Sequence, residues 1–182
     1  MNSTSTRRRW LVSGVAGAAA AAGIGAAWWR HESASGAGGE RLQPEFWSAR
    51  YERPEGGELD FADFKGKPLL LNFWATWCPP CVEELPMVDR FYRDHGANGW
   101  QVVGLAIDKP EAVRKFLVRT PVSFPIGIAG LQGTDLVRNL GNTAGGLPFT
   151  LVVGADGIVA ARKMGQLSPA DLEAWQRAEV HS

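Results

Sequence analysis

The chain has two cysteines, and both fall in one short stretch, Trp77-Cys78-Pro79-Pro80-Cys81. Thiols three positions apart suit thiol–disulfide exchange, because on a helix such residues share a face and their sulfurs can join without moving the backbone far. An apolar run of strand length, Leu69-Leu70-Leu71-Asn72-Phe73-Trp74, precedes the pair, so the cysteines lie where a buried strand passes into a helix. At such a helix start, unpaired backbone N–H groups and the positive end of the dipole favour an ionised sulfur. The thiolate is the attacking species, which makes Cys78 the expected nucleophile and Cys81 the expected resolving thiol. Pro79 and Pro80 suit a first helical turn, and they also withdraw two N–H donors from beside the sulfurs.

Competing uses of the two cysteines are weaker. A structural disulfide closing so short a loop restrains the unfolded chain little, since the gain rises with loop length. A metal site needs further ligands, and His31, His95 and His181 stand apart without paired spacing, so neither metal nor cofactor is expected. The formal charge over 182 residues is zero, with no basic patch of the kind that binds nucleic acid.

The elements that must hold the motif can be read along the chain. Arg7-Arg8-Arg9 precede an uncharged Ala/Gly-rich run from Leu11 to Trp29, about 28 Å long as a helix and just able to span a bilayer. Residues 1–33 are expected to be a signal or anchor segment, similar to a twin-arginine export signal at Thr6-Arg7-Arg8-Arg9-Trp10-Leu11, with the C-terminal domain exported. Cleavage and retention both remain open. Residues 34–43 read as a flexible Gly/Ser/Ala linker, and 44–182 as the folded domain. Phe46 to Tyr51 and Leu59-Asp60-Phe61 suggest short edge strands. Leu69–Trp74 and Val102–Ile107 are strands buried on both faces, and Phe124–Ile128 adds a short one. Leu85, Val88, Phe91 and Tyr92 recur at helical spacing up to Gly96. Pro110–Arg119 and Asp135–Leu140 form further helices. Phe149–Val153 and Ile158–Lys163 form a hairpin across Asp156-Gly157, and Ser168-Pro169 begins a last helix. The order implies parallel strands joined by crossovers and a late antiparallel hairpin, hence a mixed sheet covered by helices on both faces.

With those elements in place, the residues resemble a known group. Trp77-Cys78-Pro79-Pro80-Cys81 after Phe73-Trp74-Ala75 is similar to the thioredoxin superfamily, and Cys78-x-x-Cys81-x-x-Glu84-x-Pro86 narrows the likeness to TlpA/ResA-like disulfide reductases, membrane-tethered or periplasmic. The extra segment between Asp108 and Asp135 is similar as well. The likeness covers about residues 44–178. It implies an α/β thioredoxin-like three-layer α/β/α sandwich with a mixed central sheet and an inserted helix-containing segment. It also implies a redox-active Cys78–Cys81 disulfide and a cis Leu147–Pro148 bond in Gly146-Leu147-Pro148-Phe149-Thr150, opposite the active site. Leu147 backbone and an exposed Trp77 would then receive an extended substrate. Asn72 departs from classical thioredoxin, which carries a buried Asp there; an amide takes up no proton. The resemblance assigns that work to Glu84, whose partly buried carboxyl would have a raised pKa and accept the proton of Cys81.

The expected activity is therefore an extracytoplasmic thiol–disulfide oxidoreductase acting as a disulfide reductase on protein substrates. A membrane electron donor would recharge it, in cytochrome c maturation or envelope redox homeostasis, and membrane contact would come only through the N-terminal segment. Two rivals share the fold. A peroxiredoxin-like thiol peroxidase fits the long middle segment but needs no C-x-x-C pair. A copper-binding assembly module resembles C-x-x-x-C with a distant ligand His; here the spacing is shorter and no suitable His follows.

Overall fold

A computed structural model of the protein describes residues 39–180. The proposed signal or anchor segment, residues 1–33, and most of the linker lie outside the described residues. Along the chain come α1 (Pro44–Trp47), β1 (Arg50–Glu52), β2 (Glu58–Asp60), a 3-10 turn (Phe61–Phe64), β3 (Leu69–Trp74), α2 (Pro79–His95), β4 (Gln101–Ala106), α3 (Pro110–Arg119), β5 (Ile126–Ile128), α4 (Gly133–Asn139), β6 (Phe149–Val153), β7 (Val159–Met164) and α5 (Pro169–Val180).

Seven strands form one sheet in the order β2-β1-β5-β4-β3-β6-β7. β3 runs parallel to β4, and β4 parallel to β5. The other pairings, β3–β6, β6–β7, β1–β2 and β1–β5, are antiparallel. All six residues of β3 are buried, which is why its sequence is a continuous apolar run broken only by Asn72. The crossovers β3-α2-β4 and β4-α3-β5 step the same way across the sheet. A right-handed connection then puts both helices on one face. There α2, α3 and α5 pack on Leu70, Trp74, Val102, Ala106 and Val152. The opposite face, with Leu71, Phe73, Leu105, Phe149 and Leu151, is covered by α1, the 3-10 turn and α4. This is the expected three-layer sandwich with a mixed sheet, and residues 108–135 carry α3 and β5 as the added middle segment.

Two local expectations are corrected. Phe46 and Trp47 lie in a helical turn, not an edge strand: Pro44 presets the first-turn φ, Trp47 turns inward to a buried position, and its ring meets Phe46 edge-on at 5.0 Å. The strand starts later, at Arg50. The final residues expected as free linker also join the fold. Leu42 is buried, its N–H donates to Gly157 O at 3.0 Å, and Val159 N–H donates to Glu40 O at 2.9 Å. The DG turn of the β6–β7 hairpin provides this docking edge.

Tight packing shows where the sheet tolerates no added atom. A Cβ on Gly104, beside Asn72 in the β3–β4 register, would lie 2.6 Å from Ile126 Cδ1, 2.9 Å from Phe124 Cε2 and 3.1 Å from Trp74 Nε1. Gly104→Ala should therefore destabilise the protein by about 1–3 kcal/mol through overpacking. Urea denaturation should show the lowered midpoint, and an unchanged midpoint would show that the Trp74 layer can yield.

Candidate active site

Strand β3 ends at Trp74, and α2 begins five residues later at Pro79. Cys78 is the N-cap residue of α2, with extended backbone, and Pro79 and Pro80 follow as its first helical residues. The helix then runs on through Pro86, where the missing N–H deprives the Val82 carbonyl of its intrahelical donor. Cys78 and Cys81 form a disulfide with Cα atoms 5.3 Å apart. Cys78 is 5% exposed and Cys81 fully buried, whereas the neighbouring Trp77 is 61% exposed. With no N–H on Pro79 or Pro80, Cys81 supplies the first amide of the helix able to face the N-cap sulfur.

The turn between β3 and the cysteines is fixed by a residue that the motif does not reveal. Asp108, buried just after β4, accepts from Thr76 N–H at 3.0 Å and from the Thr76 hydroxyl at 2.5 Å. Its other oxygen accepts from Lys109 N–H at 2.7 Å. The available signal is an acidic residue between a buried strand and a proline-started helix, the usual place for a βα-loop cap. Its partner 32 positions away leaves no mark in the local sequence.

Antiparallel pairing of β3 with β6 sets the other side of the site. Phe73 lies opposite Phe149 and Asn72 opposite Thr150, so Pro148 falls beside the end of β3 that leads to Cys78. The Leu147–Pro148 peptide bond is cis, Pro148 is buried and Leu147 half-buried. Two donors order the loop: Asn142 Nδ2 donates to Gly146 O at 2.8 Å, and Gly165 N–H donates to Pro148 O at 2.9 Å. Among the described residues, the N–H and C=O of Leu147 take no intramolecular hydrogen bond.

Glu84 lies one turn beyond Cys81 on α2 and is only 1% exposed. Its Oε1 accepts from Asn72 Nδ2 at 2.7 Å, and its Oε2 from Leu167 N–H at 2.7 Å. The same Asn72 amide nitrogen donates to Thr150 Oγ1 at 3.1 Å. Burial is the larger influence and pushes the Glu84 carboxyl above its ordinary range; the Leu167 and Asn72 donors partly offset it. Such a carboxyl keeps its proton to higher pH than a solvated one, which suits it to proton transfer. The fold thus brings Cys78, Cys81, Glu84, Leu147 and Pro148 to the carboxyl end of β3, with Trp77 exposed at the rim. Asn72, Thr150, Asp108 and Leu167 are the added members. Among the described residues, no cluster of His, Cys, Asp and Glu could hold a metal ion.

The chain is similar in sequence and fold to known proteins. The Redoxin family pattern matches residues 39–175. The thiol-disulfide oxidoreductase ResA of Bacillus cereus is 32% identical over 122 residues, covering 66% of this chain and 68% of that protein. ResA of Geobacillus kaustophilus is 33% identical over 120 residues, covering 65% and 67%. Among solved structures, a thioredoxin-family thiol:disulfide interchange protein from Chlorobium tepidum superposes with a TM-score of 0.66 at 26% identity, over 79% of this chain and 98% of that one. A thioredoxin-related protein from Neisseria meningitidis serogroup B gives 0.65 at 27%, over 74% and 100%. The chain belongs to the Redoxin family, in its TlpA/ResA-like branch of the thioredoxin superfamily. Its activity class is thiol–disulfide oxidoreductase, with Cys78 and Cys81 as the redox disulfide.

The raised Glu84 carboxyl has a definite consequence for stability. The folded protein holds this proton more tightly than the unfolded chain, whose value is near 4.5. Stability contributed by the acid form is complete below that value and is lost as pH rises towards the folded pKa. The stability of Glu84→Gln relative to the parent should therefore grow as pH rises through this window and then level off. Urea titrations between about pH 4 and 8 measure it; a difference independent of pH would mean that Glu84 ionises as freely as in the unfolded chain.

Proposed function

We propose that the protein is an extracytoplasmic disulfide reductase acting on proteins, with Cys78 as nucleophile, Cys81 as resolving thiol and Glu84 as proton acceptor. The observation that carries this reading is the gradient of burial along the first turns of α2. Cys78 lies at the helix tip, and Cys81 and Glu84 follow on the same helix at complete burial. In the forward direction, Cys78 thiolate attacks a substrate disulfide, and the first substrate sulfur leaves as a thiolate. Glu84 carboxylate takes the proton from the Cys81 thiol. The Cys81 thiolate attacks the Cys78 sulfur, closes the Cys78–Cys81 bond and releases the second substrate sulfur. Glu84 then returns its proton to solvent or to the departing thiolate.

Trp77 and the Leu147–Pro148 loop form the substrate seat in this reading. The unpaired N–H and C=O of Leu147 suit an extended polypeptide adding alongside as a short strand. The named relatives support the exchange chemistry, and Arg7-Arg8-Arg9 followed by the uncharged run supports export with the domain outside the cytoplasmic membrane. Electrons would return from a dithiol donor in the membrane, and the clients would be disulfides of cytochrome c maturation or of general envelope redox homeostasis.

Trapping tests the reading. Expressed in its own cell envelope, Cys81→Ser should accumulate mixed disulfides through Cys78 with envelope proteins. They should disappear on reduction and be missing from a Cys78→Ser, Cys81→Ser double variant. Full export with no trapped partner would defeat the assignment. Partners trapped as oxidised clients would support reduction, and a trapped oxidant in their place would reverse the direction.

A further inference from the structure

The pocket beneath the disulfide contains an acceptor with nothing to accept. Asn72 is fully buried, and its Oδ1 has no hydrogen-bond partner, while its Nδ2 serves both Glu84 Oε1 and Thr150 Oγ1. An unpaired buried carbonyl oxygen is costly. The arrangement fits Glu84 in one protonation state only. A carboxylate accepts from Nδ2; a carboxylic acid must donate, and an amide nitrogen offers it no acceptor.

We propose that Asn72 is a positioning residue whose carboxamide turns over when Glu84 gains or loses its proton, donating through Nδ2 to the carboxylate and accepting through Oδ1 from the acid. A half-turn about the Cβ–Cγ axis exchanges the two atoms in nearly the same volume. Oδ1 then accepts from the protonated Oε1 and from the Thr150 hydroxyl, which changes from acceptor to donor. Each orientation makes two hydrogen bonds and leaves one amide atom unpaired, so neither protonation state is strongly penalised. Leu167 N–H decides which oxygen is protonated. A backbone donor fixed on Oε2 keeps that oxygen an acceptor and directs the proton to Oε1, the side facing Asn72. An amide with a hydroxyl partner can serve both states. An aspartate here would set a second carboxylate against Glu84, and leucine would serve neither form.

The ionisable groups around this pocket are few. Cys81 lies one turn back on α2. Glu83, the adjoining residue, is exposed and accepts from Gln166. On the flanking elements, Lys163 of β7, opposite Thr150 in the register, is paired with Asp171 of α5 at 3.1 Å. The loop residues Gln166 and Leu167 bear no charge. In the oxidised protein the two sulfurs carry no proton, which leaves Glu84 as the one buried group here that titrates.

The inference rests on Glu84 as the proton acceptor for its role in exchange, but it can be tested apart from that role. The full chain with Cys78–Cys81 oxidised, labelled with 13C at Glu Cδ and 15N at Asn Nδ2, is titrated by NMR. The Asn72 Nδ2 resonances should move with the same midpoint as Glu84 Cδ, and the contacts of the Nδ2 protons to Thr150 should weaken in the acid form. In Asn72→Leu, which serves neither form of Glu84, the Thr150 hydroxyl no longer changes from acceptor to donor, so a 13C-methyl label on Thr150 that follows the Glu84 titration in the parent should cease to follow it. Asn72→Ala serves the same purpose if the leucine variant does not fold. Asn72 resonances that stay still through the Glu84 titration, or a Thr150 methyl that still follows it in these variants, would overturn the inference. Glu84→Gln, assayed for exchange with a protein disulfide, tests the other reading. Wild-type exchange in that variant removes Glu84 from the mechanism, yet leaves the amide reorientation supported if Asn72 follows Glu84.

Discussion

β3 holds the site together because it pairs in two senses at once, parallel to β4 and antiparallel to β6. The parallel side forces a crossover, which is α2, so the end of β3 becomes the start of the helix that carries Cys78 and Cys81. The antiparallel side brings the beginning of β6 to that same end, and with it Leu147 and Pro148. One strand thus positions the disulfide and the neighbouring loop. Its one polar residue, Asn72, faces the layer beneath α2, where Glu84 lies. Few single substitutions elsewhere would disturb so many members of the site.

Around that strand, each buried carboxyl group has definite partners. Asp108 holds Thr76, Asp89 accepts from Ser123 N–H and hydroxyl at 2.6 Å each, and Leu167 and Asn72 hold Glu84. These are charge-assisted contacts in an environment of low polarity, where a missing partner costs more than a present one gains. The segment from Gly165 to Leu167 serves two elements within three residues: Gly165 N–H meets Pro148 O, and Leu167 N–H meets Glu84. The β7–α5 connection therefore ties α2 to the loop before β6.

Much of the layered fold was legible in the sequence because its strongest signals are local. Leu69–Trp74 is buried on both faces and reads as unbroken apolar sequence, and Asp156-Gly157 marks the β6–β7 hairpin. The spacing of Leu85, Val88 and Phe91 traces the buried face of α2, although the helix starts earlier, at Pro79. Phe46-Trp47 misled because aromatic residues favour strands, whereas here the preceding proline and a buried tryptophan draw the chain into a helical turn. Leu42 looked like linker because its partner, Gly157, is far along the chain. At the site, the cysteine spacing and Glu84 were visible, but the environment of Glu84 was not. Leu167 lies 83 positions away and contributes a backbone N–H, which any residue except proline would supply.

The complete enclosure of Cys81, against the slight opening at Cys78, makes the pair asymmetric towards the outside. In the proposed mechanism a bulky macromolecular reactant then has a single point of entry, and access as well as intrinsic acidity sets the sequence of bond exchanges. Release of a covalent adduct at the outer sulfur falls, in that mechanism, to a thiol enclosed in the interior, so its lifetime is set by the packing around that thiol as well as by the surrounding medium.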